Sequence, residues 1–309
     1  MKYAIIFPGQ GSQSLGMLSE LADHFSIVKD TFNEASDALG FDLWKLTQED
    51  QEALNQTQNT QPAMLAAGYA TYKVLTSQSD LSPVCMAGHS LGEYTALVAS
   101  GALGFSDAIK LVRTRAQLMQ SAVPEGVGAM AAILGLDDEV VVKVCHDYAG
   151  EGIVQAVNFN SNGQVVIAGN KAAVDATCEA MKAAGAKRAV VLPVSVPSHC
   201  SLMDDAAGEF KHAVDALDFN MGSVDVLHNV DASKAADINE MKAKLVAQLH
   251  KPVLWTGTVR AMHAMGVEKL IEAGPGKVLA GLTRRIEKSL TANAVLDSAG
   301  VASALEEIK

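Results

Sequence analysis

The chain has 309 residues, 49% of them hydrophobic, and a formal net charge of −11. That length suits two domains or one large α/β domain with an insertion, and the apolar fraction supports a sizeable core. The acidic balance argues against nucleic acid and anionic membrane as main partners, and no apolar run approaches the roughly 18 residues of a membrane span.

The first segment, Met1 to Phe7, is apolar but is cut off by Pro8-Gly9. It is too short for a signal peptide and reads as a core strand at 3–7, so the expectation is a cytoplasmic protein. Helical patterns follow within 19–39 and 61–77, then a short buried strand at 83–87 and helices at 91–100 and 106–122. After Pro124-Glu125-Gly126 the order changes. A strand near 128–136, a helix near 138–149, strands near 153–159 and 164–169, a helix near 171–184 and a strand near 187–192 make a β-α-β-β-α-β unit, the ferredoxin-like motif. Pro193 and Pro197 mark its exit. The remainder reads as a helix near 201–217, a strand near 224–230, helices near 237–249 and 254–265, a strand near 267–272 and a C-terminal helix from about 276. Short strands alternating with longer helices predict an α/β fold with a largely parallel sheet. The expected division is a catalytic domain at 1–125 and 198–309, with a ferredoxin-like small domain at 126–197.

Gly88-His89-Ser90-Leu91-Gly92 fits the G-x-S-x-G nucleophile elbow, a strand-to-helix turn that lifts a serine hydroxyl above a sheet edge. The glycines permit the tight backbone and close strand–helix approach. A glycine-rich turn with an incidental serine is the bland alternative. The four cysteines (Cys85, Cys145, Cys178 and Cys200) show no paired spacing and read as reduced thiols. Metal-ligand spacings are absent, so no metal is expected. Cys200, beside His199, offers a second nucleophile, but Ser90 has the better local pattern.

A serine needs a base and an oxyanion site. Of eight histidines, His24, His146, His212 and His263 lie on polar helical stretches, and His89 lies inside the elbow. His199 follows Val194-Ser195-Val196-Pro197-Ser198 in a turn that opens a helix, where functional residues are common and a helix N-terminus disfavours imidazolium. Its alternative is a structural histidine. The backbone N–H of Leu91 supplies one oxyanion donor in elbow geometry, and the turn Phe7-Pro8-Gly9-Gln10-Gly11-Ser12-Gln13 suits the second. That turn fails as a dinucleotide fingerprint, with Ser14 at the third glycine position. Gly274-Pro275-Gly276-Lys277 fails as a P-loop, with Val278 in place of Ser/Thr and Ile271 in place of the first glycine.

Arg115 discriminates among serine enzymes. On the wheel of 106–122, Ala108, Ile109, Leu111, Val112, Ala116, Leu118, Met119 and Ala122 form one apolar arc. Arg113 falls on the polar side as a solvated charge, whereas Arg115 falls within the arc. A buried guanidinium needs a partner: an internal Asp or Glu, or a ligand carboxylate held bidentately.

With these motifs and Pro197-Ser198-His199 in their order, the chain resembles the malonyl-CoA:acyl-carrier-protein transacylases of bacterial fatty-acid synthesis over nearly its whole length. The resemblance implies a hydrolase-like α/β core with a ferredoxin-like small domain, and a ping-pong transfer of malonyl from malonyl-CoA to acyl carrier protein. It implies Ser90 as nucleophile, His199 as base and acid, and Arg115 on the malonyl carboxylate. It further implies Gln10 and Leu91 as oxyanion donors, and a main-chain carbonyl near Gln248 orienting His199. No cofactor and a monomer are expected. In modular polyketide synthases malonyl selectivity often goes with Phe before the histidine, and Ser198 stands there, which leaves branched malonyl open. The carrier partner is expected to be acidic, with Lys187-Arg188 and Arg284-Arg285 as candidate contacts. The competing readings are a serine esterase or thioesterase, whose acidic triad member would stand between Ser90 and His199, and an acyl-binding module without catalysis.

Overall fold

The computed structural model describes residues 1–194 and 196–309. Among the described residues nine strands form two sheets: β1 Tyr3–Phe7, β2 Met86–Gly88, β3 Gly128–Leu134, β4 Val154–Ser161, β5 Gln164–Asn170, β6 Arg188–Val191, β7 Val226–Leu227, β8 Lys269–Ala273 and β9 Thr291–Val295. The larger sheet has the order β7-β2-β1-β8-β9, and all its pairings are parallel. Every residue of β1 and of β8 is buried, as expected for central strands covered on both faces. Alternation then divides the core: Tyr3, Ile5 and Phe7 join one apolar cluster, while Ala4 and Ile6 join another with Trp255 and Leu270.

The smaller sheet is antiparallel with the order β4-β5-β3-β6, the ferredoxin-like arrangement. Helices Asp138–His146 and Lys171–Ala183 enclose its own apolar cluster with Ile133, Val141, Val174 and Met181. Its edge strand β4 is covered by the chain from the larger unit: Val253 donates to Val157 O at 2.8 Å, and Phe159 N donates to Val253 O at 3.0 Å. This seam fixes one sheet against the other beside the carboxyl ends of β1, β2, β7 and β8, where ligands of open parallel sheets bind.

The expected C-terminal helix is corrected. It is two helices, Val278–Ile286 and Ser298–Glu307, separated by β9. Glu287 turns extended, and Asp297 restarts the helix by accepting the Gly300 N–H at 2.7 Å. Helices Leu43–Glu49 and Gln51–Asn55 also lie in a stretch left unassigned, each opened by an aspartate side chain, Asp42 or Asp50. All four cysteines are buried and unpaired, and burial pushes the Cys85 and Cys145 thiols up to about 12 and Cys200 up to about 11. Among the described residues no helix is long and apolar enough to cross a membrane.

Candidate active site

Strand β2 runs directly into the elbow. Ser90 takes φ 51° and ψ −109° ahead of the helix Leu91–Ala99, and its N–H donates to Asn229 Oδ1 at 2.7 Å. The turn is possible because two glycines lack side chains. A Cβ on Gly92 would lie 2.1 Å from Phe7 O, and one on Gly9 would lie 2.4 Å from His89 O. The loop after β1 and the elbow after β2 therefore pack backbone against backbone, which sets Gln10 beside Leu91. Among the described residues neither of these two backbone N–H groups donates to a protein acceptor. Both residues line the cavity that holds Ser90.

His199 is 3% exposed. Its Nε2 lies 2.8 Å from Ser90 Oγ, and its Nδ1 lies 2.6 Å from the main-chain oxygen of Gln248. A carbonyl only accepts, so Nδ1 carries the hydrogen and Nε2 presents its lone pair to the serine hydroxyl. Burial, then the Arg115 charge, push the imidazole down to about 3. His199 lies in the expected turn ahead of a helical stretch, a 3-10 helix at Ser201–Met203 that runs on into helix Asp204–Asp215. The neutral ring thus owes its state to burial and a neighbouring cation. Among the described residues a main-chain oxygen, not a carboxylate, stands on Nδ1, unlike the triad of a typical esterase.

Arg115 is 1% exposed in the helix Phe105–Ser121. Nη1 donates to Gln61 Oε1 at 2.8 Å, and Nη2 donates to Gln248 Oε1 at 2.9 Å and Ser90 Oγ at 3.3 Å. The guanidinium also lies over the Tyr94 ring at 5.3 Å. Among the described residues no carboxylate makes an ion pair with it, so the internal Asp or Glu that could have satisfied it is not in contact. Arg113 is corrected from a solvated charge to a half-buried one, packed over the Phe41 ring at 4.9 Å. His89 turns away from Ser90 and bonds Asn160 Oδ1 at 2.7 Å.

The cavity encloses about 270 Å³. Ser90, Arg115 and Gln61 line it from the larger sheet's side, and Met130, Asn158 and Asn160 from the smaller. Sequence reasoning missed Gln61, Asn160, Glu93, His228 and Asn229. Glu93 had a visible signal, a carboxylate in the otherwise apolar helix 91–99, while the others reach the site only through tertiary folding. Lys187, Arg188, Arg284 and Arg285 are exposed, and Arg285 reaches Gln164 on the smaller sheet at 3.4 Å. Among the described residues no group of three or more His, Cys, Asp or Glu side chains is gathered to hold a metal ion.

Residues 4–304 match the family model described as the acyl transferase domain. The chain is 53% identical to the malonyl CoA-acyl carrier protein transacylase of Escherichia coli, covering 99% of both chains. It is 43% identical to that of Bacillus subtilis, covering 100% of this chain and 98% of the relative. Among solved structures it is similar to an acyl carrier protein S-malonyltransferase from Vibrio cholerae, with a TM-score of 0.96, 54% identity and full coverage of both. It is also similar to a malonyl-transacylase in complex with a type II PKS acyl-carrier protein, with a TM-score of 0.98 and 51% identity over 99% of this chain and 100% of that one.

Proposed function

The chain belongs to the acyl transferase family, and we propose that it transfers malonyl from malonyl-CoA to the phosphopantetheine thiol of acyl carrier protein, supplying fatty-acid chain elongation. The observation that carries the substrate class is Arg115: a buried cation with amide and hydroxyl partners, within 3.3 Å of the nucleophile. Such a group has an unmet demand for a full negative charge, which a malonyl carboxylate supplies bidentately.

In this reading Ser90 Oγ attacks the thioester carbonyl as its proton passes to His199 Nε2 across 2.8 Å. The tetrahedral oxyanion receives the N–H groups of Gln10 and Leu91. The C–S bond breaks, the CoA sulfur takes the proton from His199, and malonyl remains as an ester on Ser90. The carrier thiol then gives its proton to His199 and attacks the ester, returning Ser90 to its hydroxyl. The Gln248 carbonyl keeps the imidazole in one tautomer through both halves. Malonyl-CoA enters as a substrate, and the steps call on no cofactor. Residues 1–125 and 198–309 serve as the catalytic unit and 126–197 as the small unit, a division supported by the two separate sheets. The cytoplasm, where CoA thioesters are handled, is the compartment that suits this chemistry.

The test is intact mass after incubation with malonyl-CoA and no acceptor. The expected result is a malonyl adduct that Ser90→Ala loses. Steady CoA release with no adduct would make the protein a hydrolase instead.

A further inference from the structure

Behind the nucleophile lies a cluster of polar side chains to which the acyl-transfer steps assign no part. Glu93, His228, Asn229 and Gln248 are each fully buried. The Glu93 carboxylate accepts from His228 Nδ1 at 2.7 Å, the Asn229 N–H at 2.9 Å and Gln248 Nε2 at 2.8 Å. Gln248 is the hub. Its Nε2 also reaches Ser90 O at 3.0 Å, and its Oε1 accepts from Arg115 Nη2 at 2.9 Å. Its main-chain oxygen holds His199.

The Gln248 amide therefore lies between two buried groups of opposite charge, with its NH2 toward Glu93 and its carbonyl toward Arg115. Charges taken out of water are costly unless compensated, and a dipole aligned this way compensates both. It also keeps them apart. Were Glu93 in direct contact, a paired guanidinium would have little left to offer a ligand. Here Arg115 keeps its Nε without a partner among the described residues, and its Nη2 reaches only the neutral Ser90 hydroxyl and the Gln248 carbonyl.

We propose that Glu93 is a positioning residue for acyl selectivity: through the Gln248 amide it holds the Arg115 guanidinium beside Ser90, charged but unpaired, so that only an acyl group bringing its own carboxylate completes the site. The inference rests on the malonyl-transfer reading and extends it to a side chain that no substrate touches.

Glu93→Gln keeps the shape but removes the full negative charge that faces the Gln248 NH2, so the relay amide loses its anionic end. Gln248→Met removes the amide and keeps the main-chain carbonyl on His199. The measurement is kcat/KM for malonyl-CoA and acetyl-CoA, with the melting temperature recorded for each variant. The malonyl-to-acetyl ratio should fall by about tenfold in either variant, the scale of one hydrogen bond to a charged group. The double variant should fall no further than the worse single one, because both act on one chain of contacts. An unchanged ratio, equal loss for both acyl groups, or additive losses would overturn the role and leave Glu93 a structural residue. If Glu93→Gln does not fold, the ratio in Gln248→Met decides alone. Wild type assayed in parallel separates the two readings: no malonyl adduct removes the transferase reading, whereas an adduct with an unchanged ratio removes only the role of Glu93.

Discussion

Ser90 and His199 are both non-glycine residues with positive φ, 51° and 67°. Such backbone costs of order 1–3 kcal/mol per residue and persists only where the surroundings enforce it. The enforcing contacts are Ser90 N–H to Asn229 Oδ1 and His199 N–H to Leu249 O at 3.0 Å. In the proposed mechanism Arg115 adds the selectivity. Arg115→Ala should lower the malonyl-to-acetyl ratio of kcat/KM by about 10²–10⁴, since a site that strands a buried polar group rejects the analogue strongly; equal loss for both acyl groups would remove this role. Arg115 also lowers the His199 pKa. With the free imidazole at about 3 rather than its usual 6.5, it stays neutral, its Nε2 lone pair free, as the pH falls through 6.5. The acid limb of kcat/KM for acyl transfer should therefore lie well below 6.5. Arg115→Ala removes one lowering influence, so with acetyl-CoA its acid limb should move to higher pH. At this scale the sequence made Ser90, His199 and Arg115 legible through a motif, a turn and a helical wheel. Glu93 showed only as a carboxylate in an apolar helix and Asn229 not at all, because the groups they bond, His228 and Ser90, lie 135 and 139 residues away.

Among the elements, the loops after β1 and β2 depend most on side-chain absence. Gly92→Ala would drive a methyl into Phe7 O and should cost about 3 kcal/mol or more, read as a lowered denaturation midpoint. Strand β8 ends in a buried carboxylate, Glu272, which accepts the N–H groups of Leu279 and Ala280 at 3.2 and 2.7 Å and so caps the helix Val278–Ile286. Burial outweighs those bonds and pushes the carboxyl up from 4.5 to about 7. The folded state then holds a proton that the unfolded chain has released, so this group's contribution to stability declines as pH rises from about 4.5 to 7. Glu272→Gln should remove that slope, visible as the difference between the two proteins' urea midpoints across the window. The same region shows where sequence reading stops. Strand β1 announces itself as a continuous apolar run, whereas β9, Thr-Ala-Asn-Ala-Val, has mostly weak strand formers and is a strand only because β8 pairs with it.

For the whole molecule, the cavity exists only because the small sheet's β4 is pinned along Val253, which brings Asn158 and Asn160 to face Ser90. The order of the small sheet was legible from its compact β-α-β-β-α-β sequence, but this seam was not, since it joins residues nearly a hundred positions apart. Arg284 and Arg285 sit on the neighbouring helix, exposed, with Arg285 touching the small sheet. Reversing both to Glu should raise KM for the acidic carrier protein and leave malonyl-CoA kinetics unchanged; an unchanged carrier KM removes these arginines from the docking surface.

The four buried thiols acquire meaning from the reaction. An enzyme that passes an acyl group from one thiol to another works immersed in nucleophilic sulfur, and any accessible thiolate of its own would take the acyl group by thioester exchange, releasing the donor thiol. With Cys85 and Cys145 at about 12 and Cys200 at about 11, almost none of this sulfur is ionised at neutral pH, and all of it is out of reach. In the proposed mechanism the acyl group therefore has one resting place on the protein, the Ser90 oxygen.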